Sequence, residues 1–194
     1  MCDLFCGRGG WTKGFQAHGW RCIGFDLHPQ PDYPGEFIQA DIAHLHELPE
    51  ADFYCCSSPC EQFSVHGMKH FHPNPKWPWL GIALFEYARR LMEATGKPYV
   101  MENVRAAEKF MGYSQHKCGS FHLWGAVPPI VPQGVTKGMT QYQAYDPISG
   151  KRILLGMRRF SSKSKQRAIE TAKIAEIPQE LSSHIAQFAE RITE

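Results

Sequence analysis

Through the first two thirds of the chain, short apolar runs alternate with helical patterns, and this alternation restricts the possible folds most tightly. Met1 to Phe5 reads as a strand. A Gly7-Arg8-Gly9-Gly10 turn follows it, then a helix from Trp11 to His18 that Gly19 stops. Cys22 to Asp26, Phe37 to Ala40, Phe53 to Cys56, Tyr99 to Glu102 and Phe121 to Trp124 read as further strands. Leu80, Leu84, Tyr87 and Leu91 form one apolar stripe, which predicts a helix from Leu80 to Ala94 ended by Gly96. A shorter helical pattern covers Ala106 to Met111. Strands alternating with helices imply an α/β fold: a mostly parallel sheet with helices on both faces.

The 194 residues suffice for one sizeable core and a small appendage. Three regions are expected: an α/β domain over 1–126, a short insertion over 127–160, and C-terminal helices over 161–194. In the last region, Ser161 to Ile174 and Pro178 to Ile192 read as helices, the second with Leu181, Ile185, Phe188 and Ile192 on one face. The net charge of +2 is unevenly placed. Residues 130–167 carry eight basic side chains and one acid, Asp146. Such asymmetry suits a polyanionic partner, although a solvated basic face would look the same.

Seven cysteines, two of them adjacent, argue against a disulfide framework and for a reducing cytosol. No apolar run is long enough to cross a membrane, and no basic stretch precedes an apolar segment at the N-terminus. A cytoplasmic monomer is expected.

Two places carry candidate chemistry. The glycine turn sits between a strand and a helix N-terminus, where glycines let backbone approach a ligand and the helix end favours a carboxylate or phosphate. Asp26 ends the second strand, where an acid can accept hydrogen bonds from ribose hydroxyls. Thr12 stands where a dinucleotide fingerprint has its third glycine, so the turn alone fits either a nucleoside site or a simple tight turn. The second place is Ser57-Ser58-Pro59-Cys60-Glu61-Gln62-Phe63-Ser64, which opens a long Ser-, His- and Pro-rich loop over residues 57–78. Cys60 lies just past a strand end, and Pro59 fixes the backbone that aims it. A thiol in such a loop can serve as a thiolate nucleophile. Cys55, Cys56 and Cys60 precede His66, His70 and His72, but no Cys-x2-Cys pair exists, so no metal is expected. Glu102 ends the fifth strand. It is either a solvated strand-end acid or a carboxyl held near Cys60, and Asn103 beside it could orient the backbone.

Together, Asp3-Leu4-Phe5-Cys6-Gly7-Arg8-Gly9-Gly10, Pro59-Cys60-Glu61-Gln62-Phe63-Ser64 and Glu102-Asn103-Val104 resemble the DNA (cytosine-5) methyltransferase family, most of all its short phage-type members. Ala40-Asp41-Ile42 resembles that family's G-D-I segment. The resemblance implies a Rossmann-like, S-adenosylmethionine-dependent methyltransferase fold. It implies that 1–126 is a catalytic, cofactor-binding domain, that the insertion over 127–160 can be a minimal target-recognition region, and that the cell is prokaryotic or phage-infected. In the implied cofactor site Phe5 lies against the adenine, and Gly7 and Gly9 admit the methionine end. Asp26 holds the ribose, Asp41 the adenine amine, and Pro59 lies near the sulfonium; Asp3, Gly10 and Leu27 are further cofactor-site residues. It also implies Cys60 as the nucleophile, with Glu102 as its partner acid and Asn103 beside it. The substrate implied is DNA, either duplex with a flipped cytosine or single-stranded, and Ser64, Lys117, Lys151, Arg152, Arg158, Arg159, Lys163 and Lys165 would face it. The same chemistry on RNA or tRNA, or an inactive nucleic-acid-binding homologue, are the alternative readings. The chain departs from the family at Glu61, where a glutamine is usual. It departs again at Gln115-His116-Lys117, where the second arginine of a Q-x-R-x-R segment falls on Gly119.

Overall fold

The computed structural model describes residues 1–61, 63, 78–129, 132, 143–145, 152–154, 164, 166, 173 and 175–193. The chain divides into two compact units, Met1–Val135 with Ile177–Glu194, and Thr136–Glu176. In the second unit, β8 (Gln143–Tyr145) pairs antiparallel with β9 (Arg152–Leu154), Tyr145 opposite Arg152. The expected helix over 161–174 lies largely outside the described residues.

The first unit is built on a seven-stranded sheet. Its strands are β1 (Cys2–Leu4), β2 (Ile23–Asp26), β3 (Glu36–Gln39), β4 (Tyr54–Ser57), β5 (Tyr99–Asn103), β6 (His116–Cys118) and β7 (Phe121–Gly125). Their order is β3-β2-β1-β4-β5-β7-β6. The first five run parallel, and β7 runs antiparallel to both its neighbours. The helices are α1 (Gly10–Ala17), α2 (Pro78–Ala94), the single turn α3 (Glu108–Met111) and α4 (Gln179–Thr193).

A parallel sheet buries both faces, so its strands read as apolar runs rather than as alternations. Phe53-Tyr54-Cys55-Cys56 shows how: successive side chains enter opposite layers. Phe53 and Cys55 join Trp11, Phe15, Val100, Leu123, Leu181 and Ile185 on one face. Tyr54 and Cys56 join Leu4, Phe25, Phe85, Met92, Met101 and Trp124 on the other.

Two helices are rotated from the faces their sequences suggest. In α2 the buried side chains include Phe85, Ala88 and Met92, while Leu80 is exposed. Apolar residues encircle much of this helix, and the face carrying Phe85 docks edge-on against Trp124, ring centroids 5.4 Å apart. In α4 Leu181 and Ile185 are buried as expected, but Ser182, Ala186 and Ala189 are buried with them and Ile192 is exposed. Small residues win there because α4 lies very close to α1. A Cβ on Gly14 would stand 2.5 Å from Ser182 C and Cβ, and one on Gly10 2.5 Å from Ile177 N.

Strand β6 has no counterpart in the sequence reading. It is three residues long, lies on the sheet edge, and is paired through the Gly119–Ser120 turn to β7. Among the described residues, no helix is long and apolar enough to cross a membrane.

Candidate active site at the carboxyl edge of the sheet

Strands β1, β2, β4 and β5 all end at the same edge. The chain leaves β1 towards β2 on one side and later returns to β4 on the other, so the order reverses between β1 and β4. Open parallel sheets place their ligands at such a reversal, because the loops diverge there and leave a crevice. The two loops flanking it are Phe5–Gly9, after β1, and Ser58–Phe63, after β4.

The first loop is held in a sharp conformation. Phe5, Gly7 and Gly9 all have positive φ, 56°, 47° and 74°. The Gly7 N–H donates to Asp26 Oδ2 at 3.0 Å, and the His28 N–H donates to Asp26 Oδ1 at 2.9 Å. Asp26 thereby ties the end of β2 to the turn after β1. The glycines divide their work. A Cβ on Gly7 would meet nothing within 4 Å, so this position borders open space, whereas one on Gly9 would stand 2.6 Å from Pro34 Cδ. Phe5 is half-buried beside this turn, and Leu27 is 52% exposed after β2. Asp41 accepts from the Ala43 N–H at 3.0 Å and pairs with His44 Nδ1 at 2.9 Å.

Asp3 lies deeper, 1% exposed beneath the loop. Thr12 Oγ1 donates to its Oδ2 at 3.0 Å, and the same hydroxyl is bonded to the Tyr33 hydroxyl. Oδ1 is buried without a hydrogen-bond partner among the described residues. Burial pushes the Asp3 carboxyl up to about 8, the Asp26 charge adding to it and the Thr12 hydrogen bonds opposing it. Tyr33 reaches this cluster across a bare backbone: a Cβ on Gly24 would stand 2.3 Å from its Cζ.

The second loop carries the thiol. Six of the seven cysteines are buried and only Cys60 is partly accessible. Burial pushes Cys2 up to about 12 and Cys22 up to about 11, and raises Cys55 and Cys56 well above the ordinary thiol value, so these stay protonated packing groups. The Phe63 N–H donates to Cys60 O at 3.0 Å, closing a turn over the fully buried Phe63 ring. Strand β5 supplies the neighbour. Ser57 stands opposite Glu102 in the β4–β5 register, and Glu102 is only 6% exposed. Asn103 Nδ2 donates to Ser58 O and Ser58 Oγ, both at 3.1 Å, and so fixes the backbone two residues before Cys60. From the other layer, Trp11 Nε1 donates to Ser57 Oγ at 2.9 Å.

Of the candidate nucleic-acid contacts, Lys117 is exposed on β6, opposite His122, which stands opposite Asn103. Arg152 lies on β9. Ser64, Lys151, Arg158, Arg159, Lys163 and Lys165 lie outside the described residues. Three clusters escaped the sequence reading: Trp11 with Ser57, Asp3 with Thr12 and Tyr33, and His122 with Glu108 and Ser114. Their members meet only through the fold, so no local spacing announces them. A cavity of about 330 Å³ lined by Met1, Arg21, Ile23, Glu36 and Asp52 opens at the opposite edge of the strands and shares no residue with this site.

A family model described as C-5 cytosine-specific DNA methylase matches residues 1–113, the stretch that contributes β1 to β5 and both loops. The chain belongs to that family. The cytosine-specific methylase fold accordingly takes the Rossmann-like methyltransferase form, a strand order of 3-2-1-4-5-7-6 with the seventh strand reversed. A similar protein is the Type II methyltransferase M.AquIA of Picosynechococcus sp., 27% identical over 241 residues that include 96% of this chain and 94% of the relative. Among solved structures, the glycopeptide N-methyltransferase MtfA is 14% identical, with a TM-score of 0.32 over 53% of this chain and 45% of that one. The bifunctional kinase-methyltransferase WbdD is 18% identical, with a TM-score of 0.30 over 52% of this chain and 23% of that one. The chain thus spans less than half the length of these solved structures.

Proposed function

We propose that this protein transfers a methyl group from S-adenosylmethionine to C5 of cytosine in DNA, by way of a covalent bond between Cys60 Sγ and cytosine C6. The observation that carries the reading is Cys60 itself: the one accessible thiol, three residues past β4, whose neighbour β5 carries the buried Glu102 next to its last residue.

The residues of the first loop suit the cofactor. Its ribose diol and adenine amine are donors, and Asp26 and Asp41 are acceptors already aligned by backbone N–H groups. Phe5, Leu27 and Pro59 supply apolar surface for the base and the sulfonium region, and the open space at Gly7 leaves room for the methionine end. Asp3, Gly9 and Gly10 act from underneath, by shaping the turn. When bound, the cofactor supplies an electrophilic methyl group on a sulfonium.

Cytosine C5 is a poor nucleophile. Addition of the Cys60 thiolate to C6 forms a C–S bond and makes C5 electron-rich, so that C5 can take the methyl group. Glu102, within reach of ring N3 and the exocyclic amine, offsets the charge that develops on the ring. Loss of the C5 proton to a base and expulsion of the thiolate then restore aromaticity. The ring must leave the stacked duplex for this to happen, or the strand must already be single. The basic segment 130–167 is the main phosphate-facing surface in this reading.

The test is methyl transfer from tritiated cofactor to mixed-sequence DNA. Cys60→Ala should abolish incorporation and leave cofactor affinity within about twofold, because the two loops are separate elements. DNA containing 5-fluorocytosine should trap the parent protein as a covalent adduct, since fluorine cannot leave as the C5 proton does. Incorporation by Cys60→Ala at the parent rate would refute the mechanism.

A further inference from the structure

We infer that residues 105–117, from the end of β5 into β6, form a nucleic-acid contact surface: Tyr113 stacks on an unstacked base of the substrate DNA beside the target cytosine, and Arg105, Lys109 and Lys117 meet the flanking phosphates. This deepens the proposed function and rests on it for the identity of the nucleic acid.

Tyr113 is 89% exposed, the highest exposure of any large apolar side chain among the described residues. Phe110, three residues earlier, is 41% exposed. Two exposed aromatic rings so close in sequence need a reason in a soluble fold. Their setting provides one. The Phe110 ring packs on Phe63, centroids 5.7 Å apart, and Phe63 closes the turn that begins at Cys60. The segment that carries Tyr113 is therefore anchored, through Phe110 and the buried Phe63, to the nucleophile loop. Lys109 Nζ lies 5.6 Å from the Phe110 ring centroid, and Arg105 and Lys117 are also exposed. Lys117 follows Asn103 and His122 across the sheet register, two strand spacings or about 10 Å from the end of β5.

Charge and rigidity favour a polyanion with free bases. The single acid in the segment, Glu108, is turned inward. Its Oε1 accepts from Ser114 N–H and Oγ–H, at 3.1 and 2.6 Å, and pairs with His122 Nδ1 at 3.1 Å. The outward charge is therefore positive. Both sides of Tyr113 are pinned, since Trp124 Nε1 donates to Gly112 O at 3.1 Å and Ser114 is tied to Glu108. A ring presented on a fixed backbone loses little entropy when a base stacks on it. Extruding a cytosine leaves its neighbours and its former partner with open faces, and an aromatic platform on a segment that packs against the nucleophile turn can cover one of them.

The test uses the full chain and fluorescence anisotropy on two probes: a mixed-sequence DNA duplex with a central unpaired cytosine, and the fully paired duplex. Tyr113→Ala should weaken binding of the first probe about 5- to 150-fold, the range for losing one stacked base. Tyr113→Phe should restore binding to within about twofold, because the stacking face remains. Lys109→Gln and Lys117→Gln should each reduce the slope of log affinity against log salt by about one. Cofactor affinity should stay unchanged in all four variants. Because binding is read without catalysis, the Tyr113 effect should persist in a Cys60→Ala background, so a failure of methyl transfer would not be confused with a failure of this surface. Parent-like binding by Tyr113→Ala, or Tyr113→Phe as weak as Tyr113→Ala, would overturn the inference. So would a Tyr113 effect seen on an RNA hairpin and not on DNA.

Discussion

Replacing Asp3 by asparagine should remove a pH dependence from the stability of the first unit. Asp3 is fully buried, and its carboxyl is pushed from the ordinary 3.8 up to about 8. An acid raised in this way keeps its proton in the native state and releases it on unfolding. Its contribution is therefore complete below about pH 3.8 and is lost as pH rises towards 8. Within that window each pH unit costs about 1.4 kcal/mol, so the native state should lose about 3 kcal/mol between pH 5 and pH 7 through this one group. Against a total stability of about 5–15 kcal/mol, that is a large share. In Asp3→Asn the amide oxygen can still accept from Thr12, and the neutral amide does not titrate. The amide nitrogen takes the place of the unpartnered Oδ1 at a fixed cost of about 1–3 kcal/mol. Urea melts at pH 5, 6 and 7 read the difference. All other titratable groups are shared by the two proteins and cancel in the difference. The variant should be the weaker protein at pH 5, and should match or exceed the parent at pH 7. A stability difference that is the same at pH 5 and pH 7 would refute the assignment of a buried, protonated Asp3.

Two further substitutions probe the scaffold and the cofactor loop. Gly14→Ala gains about 1 kcal/mol of helix propensity but drives a methyl group against the Ser182 backbone, which cannot swing aside; a net loss of about 1–2 kcal/mol is expected, read as a lower midpoint in urea. Asp26→Ala frees the Gly7 and His28 amides it holds and removes the proposed ribose acceptor, so calorimetry should show affinity for S-adenosylmethionine falling about 10- to 100-fold with the fold intact.

Much of the fold was legible because β–α alternation leaves a strong periodic signal. The strand starting after Pro98 and the strand ending at Asp26 were both foreseen to within a residue or two. The rotations of α2 and α4 were not, since they depend on what each helix meets. Trp124 and Gly14 decide those faces, and both lie far away in sequence. At the site, a position just past a strand and next to Pro59 singles out Cys60 among seven cysteines, and Cys60 is the accessible one. The supports of that loop were illegible. The Asn103–Ser58, Trp11–Ser57 and Thr12–Tyr33 bonds join residues from different elements, so only the folded chain brings them together. Strand β6 was missed because three residues paired on one side carry almost no pattern of their own.

The close seating of α4 on α1 also sets a timetable. Gly10 and Gly14 belong to the helix that follows the first loop, yet the backbone that covers them comes from Ile177 and Ser182. A ribosome adding about 5–20 residues per second needs roughly ten to thirty seconds to travel from one to the other. During that interval the nascent sheet has an uncovered apolar face where Leu181 and Ile185 will later lie. Ligand binding to the first loop should therefore appear late in synthesis, and a chain stalled before Ile177 should be a substrate for chaperones rather than for cofactor.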